Sequence, residues 1–148
     1  MDVLFDNEGF PLGEGIRVGF KYSGGVLRGA DDVAQHFGLT RLGADWVTLS
    51  EDEARLVLQC MLRFQFAHGS ERVSAERAAG LASQFVARCP PGSQFFTNWR
   101  WHDRDTFDPQ LPKTLPPQFT SATRATFDGG LVVYSDRVSA VFWIEDED

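Results

Sequence analysis

Apolar and polar positions alternate from Ile16 to Tyr22, with Ile16, Val18 and Phe20 on one side, and this predicts a strand. Ser23-Gly24-Gly25 then reads as a turn, after which Val26-Leu27 can return as a second short strand. Asp31 stands where a cap belongs, for a short helix through Phe37 that Gly38 stops. Asp45 to Leu49 reads as a brief strand or an extended lead-in. Ser50-Glu51-Asp52-Glu53 has the spacing of a reciprocal capping box, and its acidic residues suit the positive end of a helix dipole. That helix is expected to reach Ala67, with Gly69 ending it. Ala54, Val57, Leu58, Met61, Leu62 and Phe64 give it a broad apolar stripe. Ser74 caps a second main helix from Ala75 to Arg88, buried through Ala78, Leu81, Ala82, Phe85 and Val86, and Pro90-Pro91 stops it.

The second half changes character. Gln94 to Trp101 reads as an aromatic-rich strand. From His102 to Phe119 no period survives, and Pro109, Pro112, Pro116 and Pro117 interrupt regular structure. Thr123–Phe127, Leu131–Ser135 and Val138–Ile144 then read as three strands, joined by Asp128-Gly129-Gly130 and Asp136-Arg137 as antiparallel turns. In the last strand Val138, Ala140, Phe142 and Ile144 share one face, and Ser139, Val141 and Trp143 the other. The expectation is one α+β domain over residues 1–148: an antiparallel sheet with a C-terminal three-stranded meander, covered by two main helices.

Composition adds a core and a charge. Of the 148 residues 43% are hydrophobic and 13% aromatic, enough for a packed interior without staples. Fourteen Lys and Arg against 21 Asp and Glu leave a net charge of −7. That sign argues against a sequence-independent nucleic-acid binder and against docking on anionic membranes, and suits a basic protein partner. Two cysteines, Cys60 and Cys89, make no disulfide framework and fit a reducing compartment as small apolar fillers. No signal peptide pattern and no apolar run of membrane-spanning length occur, so the expected setting is soluble and cytoplasmic.

Candidate chemistry is sparse. His36, His68 and His102 lack zinc-helix spacing, the glycines form no phosphate loop, and no nucleophile elbow occurs. No cofactor and no metal are expected from these patterns. One polar knot stands out, His102 with Asp103, Asp105 and Asp108. It could hold a hard cation or supply acid–base groups, form a solvated loop, or contact a partner. As a calcium loop it fails, lacking the glycine at the sixth position and the later bidentate Glu. The C-terminal Glu145-Asp146-Glu147-Asp148 carries four of the seven net negative charges. Read plainly it keeps an edge soluble; read sharply it is an acidic patch fixed to a strand, steering a basic partner. Trp99 and Trp101 flank Arg100 in the manner of interface anchors, with core packing as the alternative.

Phe-Phe-Thr-Asn-Trp at 95–99, Thr-Ser-Ala-Thr-Arg-Ala-Thr-Phe-Asp-Gly-Gly at 120–130 and Val-Phe-Trp-Ile-Glu-Asp-Glu-Asp at 141–148 together resemble the C-terminal half of small bacterial immunity proteins. These are the cognate inhibitors of polymorphic toxins delivered by contact-dependent or type VI systems. The resemblance implies a cytoplasmic, non-enzymatic protein that binds one toxin domain and blocks it, and the acidity suits a basic active-site surface on that toxin. Two other readings stay open: a small metal-dependent or acid–base enzyme centred on His102, Asp103, Asp105 and Asp108, and a subunit whose aromatic strand forms a homodimer face. The inhibitor reading expects a monomer or weak homodimer.

Overall fold

The computed structural model describes residues 15–22, 26–102 and 118–147. Five strands form one antiparallel sheet: β1 Ile16–Lys21, β2 Val47–Leu49, β3 Gln94–Thr97, β4 Phe127–Tyr134 and β5 Ser139–Asp146. The helices are α1 Ala30–His36, α2 Glu51–Arg63 and α3 Ala75–Ala87, with a single 3-10 turn at Gly43–Asp45. The strand order is β1-β5-β4-β3-β2. Strands β3, β4 and β5 are consecutive neighbours, with β3 at 94–97 in the place the sequence pattern assigned to 123–127; β1 pairs outside β5, and β2 outside β3.

Alternation along the strands divides the interior into two cores. Ile16, Val18, Phe20, Phe95, Leu131, Ala140, Phe142 and Ile144 face α2 and α3, whose buried stripes include Leu58, Met61, Leu81 and Phe85. Val132, Val141 and Trp143 face the other way, where Val33, Ala34, Phe37 and Leu39 of the α1 region cover them. The two main helices thus share the sheet with a third, and that third is only seven residues long.

The caps behave as their spacing implies. Ser50 Oγ accepts from Glu53 N at 3.1 Å while Glu53 Oε1 accepts from Ser50 N at 2.9 Å, and Ser74 Oγ accepts from Arg77 N at 3.1 Å. Each such cap stabilises its helix by about 1 kcal/mol. Asp31 does not cap α1: the helix begins one residue earlier, and the carboxylate turns instead to Gly43 N and the Trp46 indole.

Several boundaries differ from the expectation, each for a tertiary reason. Helix α2 stops at Arg63, not Ala67, because Phe64 is extended and bridges Glu71, closing a tight turn with Gly69 at φ +69°. Val26-Leu27 forms no strand; β1 finds its partner in β5, from Ile16 opposite Ile144 to Lys21 opposite Ser139. Strand β3 ends at Thr97, and Trp99 pairs only through a single bridge to Phe119. Asp128-Gly129-Gly130 is no turn, and 123–127 is no separate strand: β4 runs straight through it. The glycines serve close packing, since a Cβ at Gly129 would strike the Trp99 indole, and one at Gly130 the Phe142 carbonyl and Trp143.

Candidate functional site

Three of the C-terminal carboxylates, Glu145, Asp146 and Glu147, are engaged by neighbouring groups, and the first two are partly buried. Glu145 forms an ion pair with Arg17 on the neighbouring β1. Asp146 Oδ2 accepts from Phe66 N and from Arg72 Nη2, both at 2.7 Å, and the two side chains are only 17% and 14% exposed. Glu147 Oε2 accepts from Thr126 Oγ1 at 2.7 Å. Asp148 lies outside the described residues. The expected acidic patch is therefore corrected: three of its four carboxylates are spent holding β1, the α2–α3 connection and residue 126 to the end of β5.

Trp99 and Trp101 are corrected likewise. Both lie inside the core on the α2–α3 side, at 2% and 0% exposure, so neither is available as a surface anchor. The Trp99 ring packs edge-on against Phe66 at 5.1 Å and its Nε1 donates to the Asp128 carbonyl at 3.2 Å. Of the polar knot, Asp103, Asp105 and Asp108 lie outside the described residues. His102 is exposed, with Nδ1 3.5 Å from Glu53 Oε2 at the start of α2.

The charge itself is differently placed than the sequence block suggests. The described residues hold 12 Lys and Arg against 13 Asp and Glu, a surplus of one negative charge. The other six of the net −7 belong to residues 1–14, 103–117 and 148, with Asp2, Asp6, Glu8 and Glu14 in a stretch that has no Lys or Arg.

A buried carboxylate that the sequence reading passed over ties the resemblance segments together. Asp128 is fully buried; its Oδ1 accepts from Asn98 Nδ2 at 2.9 Å, and its Oδ2 from Ala122 N at 2.9 Å and Thr123 Oγ1 at 2.7 Å. Asn98 Nδ2 also donates to the Thr120 carbonyl at 3.0 Å. Burial raises the Asp128 pKa above its ordinary value, and the hydrogen bonds from Thr123 and Ala122 offset only part of that rise. The knot fixes the irregular segment 118–126 to the sheet. Its one sequence signal was the Asp-Gly-Gly triplet, which also has the form of a turn.

On the α1 side of the sheet the short helix leaves an open groove of about 570 Å³ at the β2 edge. Its floor is Trp46, Thr48 and Phe96, two half-buried aromatics and an exposed threonine. The Trp46 ring meets Trp143 edge-on at 6.2 Å. Its acidic wall is internally satisfied. Asp31 Oδ1 accepts from Trp46 Nε1 at 2.8 Å and Gly43 N at 3.0 Å; Asp32 accepts from Arg28 N at 3.0 Å and Arg41 Nη1 at 3.2 Å. Burial pushes the Asp31 carboxyl up, but those hydrogen bonds and the Arg41 charge outweigh it, and its pKa lies below the ordinary value. Arg28 is exposed at the mouth, and its guanidinium has no partner among the described residues.

Reactive groups are few. Cys60 and Cys89 are free and buried, and burial pushes the Cys89 thiol up to about 12, which keeps it protonated and unreactive at neutral pH. Among the described residues no three His, Cys, Asp or Glu side chains are placed to hold a metal ion. No helix among them is long and apolar enough to cross a membrane. No family model, no curated protein and no solved structure matches this chain.

Proposed function

We propose that this protein is a non-enzymatic inhibitor that binds and neutralises a cognate bacterial toxin domain, as its resemblance to immunity proteins implies. The observation that carries this reading is the half-covered sheet face. A seven-residue helix leaves Trp46 and Phe96 beside an open groove at a sheet edge, and such half-wet aromatics next to arginine are the side chains that dominate protein interfaces. Two further points support it. The three segments that carry the resemblance meet around Asp128, which binds Asn98 and Thr123 and lies opposite Glu145 in the β4–β5 register. The acidity of the whole chain suits a toxin with a basic substrate cleft.

The test is to sequence the neighbouring genes for a large secreted protein with a variable C-terminal domain and to co-express that domain with this protein in a bacterial host; a neighbourhood of metabolic genes alone counts against the reading. Restored growth and a stable complex on gel filtration are expected. Cell death at the rate seen with toxin alone would overturn the reading.

A further inference from the structure

We propose that residues 120–124 are a pH-governed strap, latched onto the sheet by Asp128 and loosened when that carboxyl ionises. The device belongs to the free chain and goes beyond the inhibitor reading, on which it does not depend.

The strap belongs to no helix or strand. One end is tied where Arg100 N donates to the Gln118 carbonyl at 2.8 Å and Thr120 N to the Asn98 carbonyl at 3.2 Å. The other is tied where Thr126 Oγ1 donates to Glu147 at 2.7 Å. Between these ties the Ala122 amide and the Thr123 hydroxyl both donate to one oxygen, Asp128 Oδ2. Latched in this way, Ala122 sits at 1% exposure in the α1-side core, and its carbonyl accepts from Thr40 N at 2.9 Å.

The latch is a carboxyl placed where charge is disfavoured. Asp128 is 0% exposed, and its hydrogen bonds come from neutral groups, Asn98, Ala122 and Thr123. Among the described residues no cation pairs with it. Opposite it in the β4–β5 register, and so on the same face, stands a second carboxylate, Glu145, whose charge is met by Arg17 on β1. Glu147 is held by Thr126, β3 carries no charged residue, and Arg124 of the strap itself is exposed. On the α1 side Asp31, Asp32 and Arg41 engage one another's neighbours Gly43, Trp46, Arg28 N and Gln35, and His36 lies against the Phe37 ring. Burial with no cation and a like charge opposite favours the neutral acid, and the Asp128 pKa is raised accordingly. The neutral acid also fits. Its proton can go to Thr123 Oγ1, which has a second lone pair beside the one that takes Ala125 N at 3.1 Å. Once the strap lifts, the carboxyl meets water and ionises at its ordinary value. Proton linkage then fixes the sign: the closed strap holds the proton more tightly, so low pH keeps it shut and rising pH opens it.

Native-state hydrogen exchange on the full chain, resolved by NMR from about pH 4 to pH 7, tests this. Protection factors are corrected for the intrinsic pH dependence of exchange. At Ala122 and Ala125 they are expected to lie at least about tenfold below those of Leu131–Val133 and to ignore about 0.5 M urea, as local opening does. They are also expected to fall at least about threefold across the pH range, and to level off where the Asp128 side-chain carbonyl titrates in carbon-13 spectra. Asp128→Asn is expected to flatten the profile. Protection at Ala122 and Ala125 that stays constant or rises with pH would overturn the proposal. So would protection that matches Leu131–Val133 and falls with urea, or that levels off away from the Asp128 titration. An unchanged fall in folded Asp128→Asn would do the same; where that variant does not fold, the wild-type titration decides alone.

Discussion

Replacing Asp146 by alanine is expected to destabilise the protein by about 3 kcal/mol, the low end of what breaking a buried ion pair costs. The magnitude follows from what the substitution leaves behind. Asp146 Oδ2 receives two hydrogen bonds at 2.7 Å, one from the Phe66 amide and one from Arg72. Without it Arg72 keeps only the Phe64 carbonyl at 3.2 Å and the face of the Phe66 ring, 5.2 Å from its guanidinium carbon. At 14% exposure that cation has little water to replace the carboxylate. Burial already lowers the Arg72 pKa, and the Asp146 charge is what opposes the shift. The residual exposure of both side chains is why the low end applies. Urea unfolding followed by tryptophan fluorescence measures the effect, with an unchanged slope showing that the variant still unfolds in one step. A double-mutant cycle with Arg72→Met is expected to show coupling above about 1 kcal/mol, because removing both partners leaves no stranded charge. A loss below about 1 kcal/mol for Asp146→Ala alone would refute the reasoning and return Asp146 to the surface as a freely solvated carboxylate.

Three further outcomes follow from particular positions. Gly130→Ala is expected to cost about 3 kcal/mol, since its Cβ would meet the Phe142 carbonyl and neither backbone can yield, whereas Gly80→Ala on open α3 surface should add about 1 kcal/mol; thermal melts give both signs. The raised Asp128 pKa contributes stability that is full below the ordinary value of 3.8 and is lost as pH rises through the folded value. Urea midpoints taken from pH 4 upward should therefore fall more steeply in wild type than in Asp128→Asn, and parallel curves would contradict the assignment. Cys60 and Cys89 should ignore a thiol reagent at pH 8 in the native protein and both react in denaturant, with native labelling of either counting against its burial.

The parts of the fold that were legible are those whose cause is local. Ser50 and Glu53 sit three residues apart and specify their helix start wherever the helix packs. The β5 alternation of Ala140, Phe142 and Ile144 against Val141 and Trp143 is likewise a property of the strand itself. The candidate site was misread where the cause is distant. Asp146 reads as one of a terminal acidic run because its partners, Arg72 and the Phe66 amide, stand 74 and 80 residues earlier. Asp128-Gly129-Gly130 has turn chemistry until Trp99 and Trp143 arrive to require glycine. Trp99 and Trp101 could be read as anchors or as core because alternation shows which residues share a face, not whether that face is covered. The groove had no local signal, since it exists only through the register that sets Thr48 beside Phe96 and the brevity of α1.

The glycine pair in β4 has an optical consequence. At that point the sheet is one backbone thick and nothing more, with the Trp99 indole against Gly129 on one side and Trp143 against Gly130 on the other. Trp143 touches Trp46 in the groove floor, and Trp99 touches Phe66 beneath α2. Three of the four indoles thus lie in one series of contacts, of rings and bare backbone, that passes through the sheet from one core to the other. The groove floor and the opposite core are joined through indoles that meet across bare glycine backbone, so the intrinsic emission of those indoles reports on both faces of the sheet.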